Sequence, residues 1–232
     1  MGKDVIIACD FPTAEQTLSF LDRFSDRKPF VKIGMELFYA EGPAIVRKIK
    51  QRGHKIFLDL KLHDIPNTVR KAMTVLSGLD ADIVNLHAAG TAEMMRAALE
   101  GLVRPDGSRP LLIAVTQLTS TNQEALETEL LIREPMDEVV LSYAENAKRA
   151  GLDGVVCSPL EAAAVHTRCG AGFLTVTPGV RFADGDRGDQ KRVMTPAQAK
   201  AAGSDYIVVG RPITAAPDPA AAYARCIAEF VD

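Results

Sequence analysis

Short apolar segments alternate with longer amphipathic stretches from one end of this chain to the other, and that rhythm constrains its fold more than any other feature. The strand-like segments are Val5 to Cys9, Phe30 to Ile33, Lys55 to Leu60, Ile83 to Leu86, Leu111 to Val115, Gly154 to Cys157, Phe173 to Thr177 and Tyr206 to Val209. Helical patterns fill 13–25, 36–52, 65–79, 91–103, 135–150, 159–168, 195–202 and 217–230. Strict βα alternation calls for a parallel sheet, and eight strands close into a (β/α)8 TIM barrel. The 232 residues suffice for one such domain spanning 1–232, and no Ser/Gly-rich linker or composition break divides them. A doubly wound open sheet is the structural alternative. Against it, no G-x-G-x-x-G follows the first strand and no G-x-x-x-x-G-K-[ST] occurs.

Composition narrows the class of partner. Apolar residues make up 47% and charged residues 25%, with a net charge of −3. Nothing global attracts nucleic acid or an anionic membrane, so an anionic ligand has to be caught by a local site. Cys9, Cys157, Cys169 and Cys226 lie far apart without a C-x-x-C pair, which argues against structural zinc and for free thiols. The N-terminal apolar run is too short for a signal peptide, and no run approaches membrane-spanning length. These features lead us to expect a cytoplasmic protein.

Chemistry concentrates between Asp59 and Val69, in the run DLKLHDIPNTV. Asp59 and Lys61 are two apart at a strand end, so in regular strand geometry they leave the same face. Asp64 adds a second carboxylate, and Pro66-Asn67-Thr68 reads as a helix start. The plain alternative is a surface ion pair of little consequence, but the charges crowd a short strand-to-helix corner. Other strand ends carry polar groups too: Asp10, Lys32, His87, Thr116, Gln117, Thr119, Pro178-Gly179 and Gly210-Arg211. A barrel would gather them on one rim, where such enzymes assemble their sites. Gly210-Arg211-Pro212, after the eighth strand, suits a phosphate. The long segment 178–193, PGVRFADGDRGDQKRV, suits a lid closing over an anion, or a solvated loop.

Taken together, these blocks resemble the orotidine 5′-monophosphate decarboxylase family. The extended DLKLHDIPNTV, the early Asp10 and Lys32, VTQLTS at 115–120, TPGVR at 177–181, Asp189-Gln190 and IVVGRPI at 207–213 all occur in that family's order. The resemblance implies decarboxylation of orotidine 5′-monophosphate to uridine 5′-monophosphate without a cofactor or metal. It implies Lys61 as the proton donor to C6, Asp59 against the substrate carboxylate, and Lys32 and Asp64 completing a charge network. It further implies a homodimer, with Asp64 and Thr68 serving the neighbouring subunit's site. Asp10 would bind the ribose with Lys32, Thr119 would read the pyrimidine edge, and Ile65 would line the pocket wall. Pro178 joins the substrate-binding set. Gln190, Arg211 and the Gly210 amide would grip the 5′-phosphate, with Arg181 near the lid.

The charge pattern is consistent with that chemistry on its own terms. Loss of carbon dioxide from an sp² ring carbon leaves a carbanion, and no cofactor motif is present to delocalise it. A fixed ammonium can stabilise that charge and then protonate it. A Schiff-base aldolase using Lys61 needs a neutral amine, which two neighbouring acids disfavour. A metal-dependent sugar-phosphate lyase and a non-catalytic nucleotide sensor are the other rivals. His63 and His87 are not required by the decarboxylase mechanism and suit supporting or packing roles.

Overall fold

The computed structural model describes residues 3–183 and 194–232. Its strands are β1 (Asp4–Ala8), β2 (Phe30–Ile33), β3 (Ile56–Leu62), β4 (Ile83–His87), β5 (Leu111–Val115), β6 (Gly154–Val156), β7 (Leu174–Thr177) and β8 (Tyr206–Val209). All pair in parallel with their sequence neighbours, and β8 returns to β1 through Asp4–Tyr206 and Val5–Ile207, closing the barrel. The open-sheet alternative is thereby excluded.

Two apolar layers follow from the period-2 alternation of these strands. Ile6 and Ala8, Phe30, Phe57, Ile83, Ile113, Leu174 and Val176, and Tyr206 and Val208 fill the barrel interior. Their sequence neighbours, such as Val5 and Ile7, Val31 and Ile33, Leu58, and Ile207 and Val209, face the surrounding helices. The interior layer is a packed plug, so a ligand has access only at the rims.

The helices are α1 (Ala14–Leu21), α2 (Met35–Glu41), α3 (Pro43–Gln51), α4 (Pro66–Ser77), α5 (Thr91–Leu102), α6 (Gln123–Thr128), α7 (Met136–Ala150), α8 (Ala162–Cys169), α9 (Pro196–Ala201), α10 (Arg211–Thr214) and α11 (Pro219–Phe230). The continuous helix expected over 36–52 is instead two, broken at Gly42. That residue has φ +65°, and Pro43 behind it starts α3. Helix α6 has no counterpart among the expected helices. It is six residues long, with Asn122 capping the Ala125 N–H, and is too short to show an apolar period.

The lower rim carries a repeated clamp. Asp82, Asp153 and Asp205 each immediately precede an even-numbered strand. Each carboxylate accepts a backbone N–H from the preceding odd strand: Ile56 at 2.8 Å, Leu112 at 2.7 Å and Thr175 at 2.8 Å. Each Asp N–H returns a bond to the carbonyl of that same residue. A basic partner holds each carboxylate: Lys50 at 2.7 Å, Arg109 in a two-pronged contact, and His166 at 3.0 Å. Strand pairs are thus tied where parallel ladders begin, and the polar groups are satisfied at the barrel floor.

This geometry predicts that Asp153→Ala costs about 1.5–3 kcal/mol, the range for a hydrogen bond to a charged group. Urea unfolding checks it: the midpoint should fall with the slope unchanged.

Candidate active site

Strands β1, β2 and β3 deliver their inward-facing positions to the upper rim as a chain of charges of alternating sign. On β2, Lys32 follows the inward Phe30, and on β3, Asp59 follows the inward Phe57. Lys32 Nζ lies 2.8 Å from Asp10 Oδ1 and 3.4 Å from Asp59 Oδ2. Asp59 Oδ1 lies 2.7 Å from Lys61 Nζ. Lys32 is only 9% exposed and Asp59 8%. Burying either charge alone would be costly, and the alternation offsets that penalty.

Ionisation follows from the same balance. Burial opposes the charged form of Lys32, but Asp59 and Asp10 outweigh it and raise its pKa. Burial would raise the pKa of Asp59, but Lys32 and Lys61, with a hydrogen bond from Asn85, hold it below the usual carboxylate range. His87 is held down by burial, by His63 and by Lys61. Its ring centroid lies 5.7 Å from that of His63, so the two histidines form a tilted pair beside the charges. Cys9 is fully buried, which pushes its thiol up to about 12 and leaves it without nucleophilic character near neutral pH.

Lys61 departs from regular strand geometry. Its φ is +53°, and the β3–β4 register shifts between Leu58 and Leu62. A lysine in the left-handed region costs of order 1–3 kcal/mol unless its surroundings compensate. Here its N–H donates to Asn85 Oδ1 at 2.8 Å, and Asn85 Nδ2 donates to Asp59 Oδ1 at 2.7 Å. Face-sharing by simple alternation is therefore not what joins Lys61 to Asp59, because a bulged strand end does it.

Lys32, Asp59 and Lys61 line a cavity of about 180 Å³, whose walls also include Val115, Gln117, Thr119 and Pro178. It accommodates a small ring, and a larger ligand would extend across the rim. Gly210 and Arg211 follow β8, with Arg211 opening the short helix α10. Arg181 follows the Val180–Met194 bridge that closes the base of the long segment after β7. Gln190 and Asp189, with most of 178–193, lie outside the described residues. Asp64, Ile65 and Thr68 are exposed and do not line this cavity, with Ile65 66% exposed. The Asp64 carboxylate accepts the Ile65 N–H at 2.6 Å and pairs with no lysine among the described residues.

Two residues of this site escaped sequence reasoning. Gly34 follows β2, and a Cβ there would sit 2.8 Å from Asp10 Oδ1 and 3.1 Å from Lys32 Nζ, inside the ion pair. Asn85 is 1% exposed and touches both ends of the Asp59–Lys61 unit. An asparagine inside the apolar run Ile83-Val84-Asn85-Leu86 was the available signal, because that residue is depleted in buried strands.

A closed (β/α)8 barrel with two ammonium–carboxylate couples around a small rim cavity defines an enzyme that acts on a small molecule through fixed charges. The chain belongs to the Orotidine 5′-phosphate decarboxylase / HUMPS family, whose model matches residues 3–226. It is 54% identical to the orotidine 5′-phosphate decarboxylase of Geobacillus sp. (strain WCH70), over 99% of this chain and 98% of that one. It is 58% identical to the Bacillus caldolyticus enzyme, over 97% and 93% of the two chains. The crystal structure of orotidine 5′-phosphate decarboxylase from Lactobacillus acidophilus superposes with a TM-score of 0.89 at 45% identity, covering 99% of this chain and all of that one.

The charge chain makes stability acid-sensitive. The pKa of Asp59 is lower folded than unfolded, so its contribution is present above about pH 4 and is lost as pH falls through the folded value. Urea unfolding at pH 7 and pH 3 should show a larger acid loss in the wild type than in Asp59→Asn.

Proposed function

We propose that this chain decarboxylates orotidine 5′-monophosphate to uridine 5′-monophosphate and carbon dioxide, in pyrimidine biosynthesis, without a cofactor. The observation that carries the reading is the alternating chain Asp10–Lys32–Asp59–Lys61, whose last three members line the rim cavity. With the pyrimidine in that cavity, Asp59 faces the substrate carboxylate and disfavours its ground state. The carbon–carbon bond breaks, its electron pair stays on C6, and carbon dioxide leaves. Lys61 Nζ stabilises that charge and passes its proton to C6, after which the amine regains a proton from solvent. Asp59 Oδ1 lies 2.7 Å from Lys61 Nζ, and a lysine seated on a carboxylate suits a proton donor better than an imine-forming aldolase.

The remaining roles extend this reading. Asp10 and Lys32 bind the ribose, Thr119 reads the pyrimidine edge, and Pro178 packs on the substrate. Arg211 and the Gly210 amide hold the phosphate with Gln190, and Arg181 steadies a lid over 178–193. Binding energy from the phosphate, distant from C6, can then be directed to the transition state by closure. Two chains form a two-fold dimer in which Asp64 and Thr68 reach the neighbouring site. Their exposure, and the lack of a lysine partner for Asp64 among the described residues of its own chain, support this assignment. The four cysteines are free and buried, in keeping with a cytoplasmic location, and no described helix is long and apolar enough to cross a membrane.

The direct test follows the ultraviolet absorbance of orotidine 5′-monophosphate with purified protein, with and without chelator. Turnover should be chelator-insensitive, and Lys61→Ala should abolish it while retaining nucleotide binding. Near-normal turnover by that variant would rule out the proton-donor role.

Shared sites make a further prediction. Asp64→Ala and Lys61→Ala homodimers should each be nearly inactive. Mixing them by reversible unfolding should restore roughly a quarter of wild-type activity, because about half of the dimers are mixed and each of those holds one intact site. No recovery from confirmed heterodimers would assign Asp64 to its own subunit.

A further inference from the structure

We infer that Asn85 is the positioning residue that aims the Lys61 ammonium. One buried amide makes two bonds. Its carbonyl oxygen accepts the Lys61 backbone N–H at 2.8 Å, and its NH₂ donates to Asp59 Oδ1 at 2.7 Å. The partners fix which way the amide points, because an N–H must face the oxygen and a carboxylate must face the NH₂. Asp59 Oδ1 is the same oxygen that holds Lys61 Nζ. One side chain therefore fixes both the backbone and, through Asp59, the ammonium of the same lysine.

Lys61 needs such a device because its own strand does not provide one. At φ +53° and within the register shift between the Leu58–Val84 and Leu62–Leu86 pairs, its N–H bonds a side chain in place of the ladder. Asn85 takes the place of the ladder's missing acceptor. It comes from β4, where Ile83 packs inside the barrel and residue 85 takes the same face one pleat higher. Leu or Ala at this position would leave the Lys61 N–H and one lone pair of Asp59 without partners. Aspartate would set a second carboxylate directly against that of Asp59. Asn85 is thus the residue that keeps Lys61 left-handed and leaves Asp59 ionised for a lysine on each oxygen.

This inference rests on the decarboxylase reading, and the experiment separates the two. If the wild type does not turn over orotidine 5′-monophosphate, the reading fails. If the wild type turns over, the Asn85 variants test the positioning role. For Asn85→Ala, kcat should fall about 10²-fold, the scale of a reacting group displaced by an ångström. KM and uridine 5′-monophosphate binding should stay within about threefold, because a misaimed ammonium affects the reacting state more than the bound one. A kcat within about threefold of wild type, or equal losses in kcat and product binding, would overturn the proposal.

Asn85→Asp gives a second readout that loss of packing alone would not move, and it retains the side-chain volume. Among the described residues, position 85 faces Asp59 and Lys61 on β3, with Lys32 behind Asp59 and the His87–His63 pair near those two charges. Adjacent carboxylates share one proton, and a protonated carboxyl group introduced at this position could donate to Asp59 and accept from the Lys61 N–H as the amide does. The ratio of variant to wild-type kcat should therefore decline as pH rises and the shared proton is lost. A ratio independent of pH would overturn the positioning role.

Discussion

Asp59 holds the active rim together by accepting from three directions. Lys61 and Asn85 share one of its oxygens and Lys32 faces the other. A carboxylate this deeply buried is tolerated only because its partners are charged or donate hydrogen bonds. The dependence is mutual. Lys32 is equally buried and stays charged through Asp59 and Asp10. Gly34 lacks a side chain because that pair occupies the space where a Cβ would go. The backbone of Lys61 is held in a costly conformation by the same network. Strain, burial and charge are thus set against one another within a few ångströms, as expected where a site is preorganised for charge that appears only in the transition state.

The barrel makes that arrangement rigid by separating stability from chemistry. The interior plug from Ile6 to Val208 supports the rim from below. The lower-rim clamps of Asp82, Asp153 and Asp205 tie strands in pairs at their starts. Carboxylates thus serve at both ends of the barrel with different partners. Below, each accepts a backbone N–H and a basic side chain and completes a ladder. Above, Asp59 faces two lysines at the foot of an open cavity. The upper arrangement brings Lys32, Asp59 and Lys61, charges of both signs, to line one cavity.

Much of this was legible in the chain. The strand positions were readable because parallel barrel strands are apolar on both faces and stand out as short runs between amphipathic stretches. Lys32, Asp59 and Lys61 were legible as charges interrupting such runs at their ends. The split at Gly42 was not, because a glycine within an amphipathic pattern can also be tolerated inside a helix. The bulge at Lys61 was not either, because nothing local in Leu60-Lys61-Leu62 calls for a positive φ. Gln190 was named from the family's motif, and its position lies outside the described residues.

The sequence by itself determined the (β/α)8 class, the family and the charged residues at the strand ends. Each of these is written in periodicity or in residue types close together along the chain. Tertiary structure alone decided that Asp10, Lys32, Asp59 and Lys61 form one alternating chain, that Lys61 leaves the ladder, and that Asn85 supports it. The physical reason is that barrel closure sets strands distant in sequence side by side in a definite register. A hydrogen bond between residues 26 positions apart, such as that from Asn85 to Asp59, is specified by that register and by no local pattern.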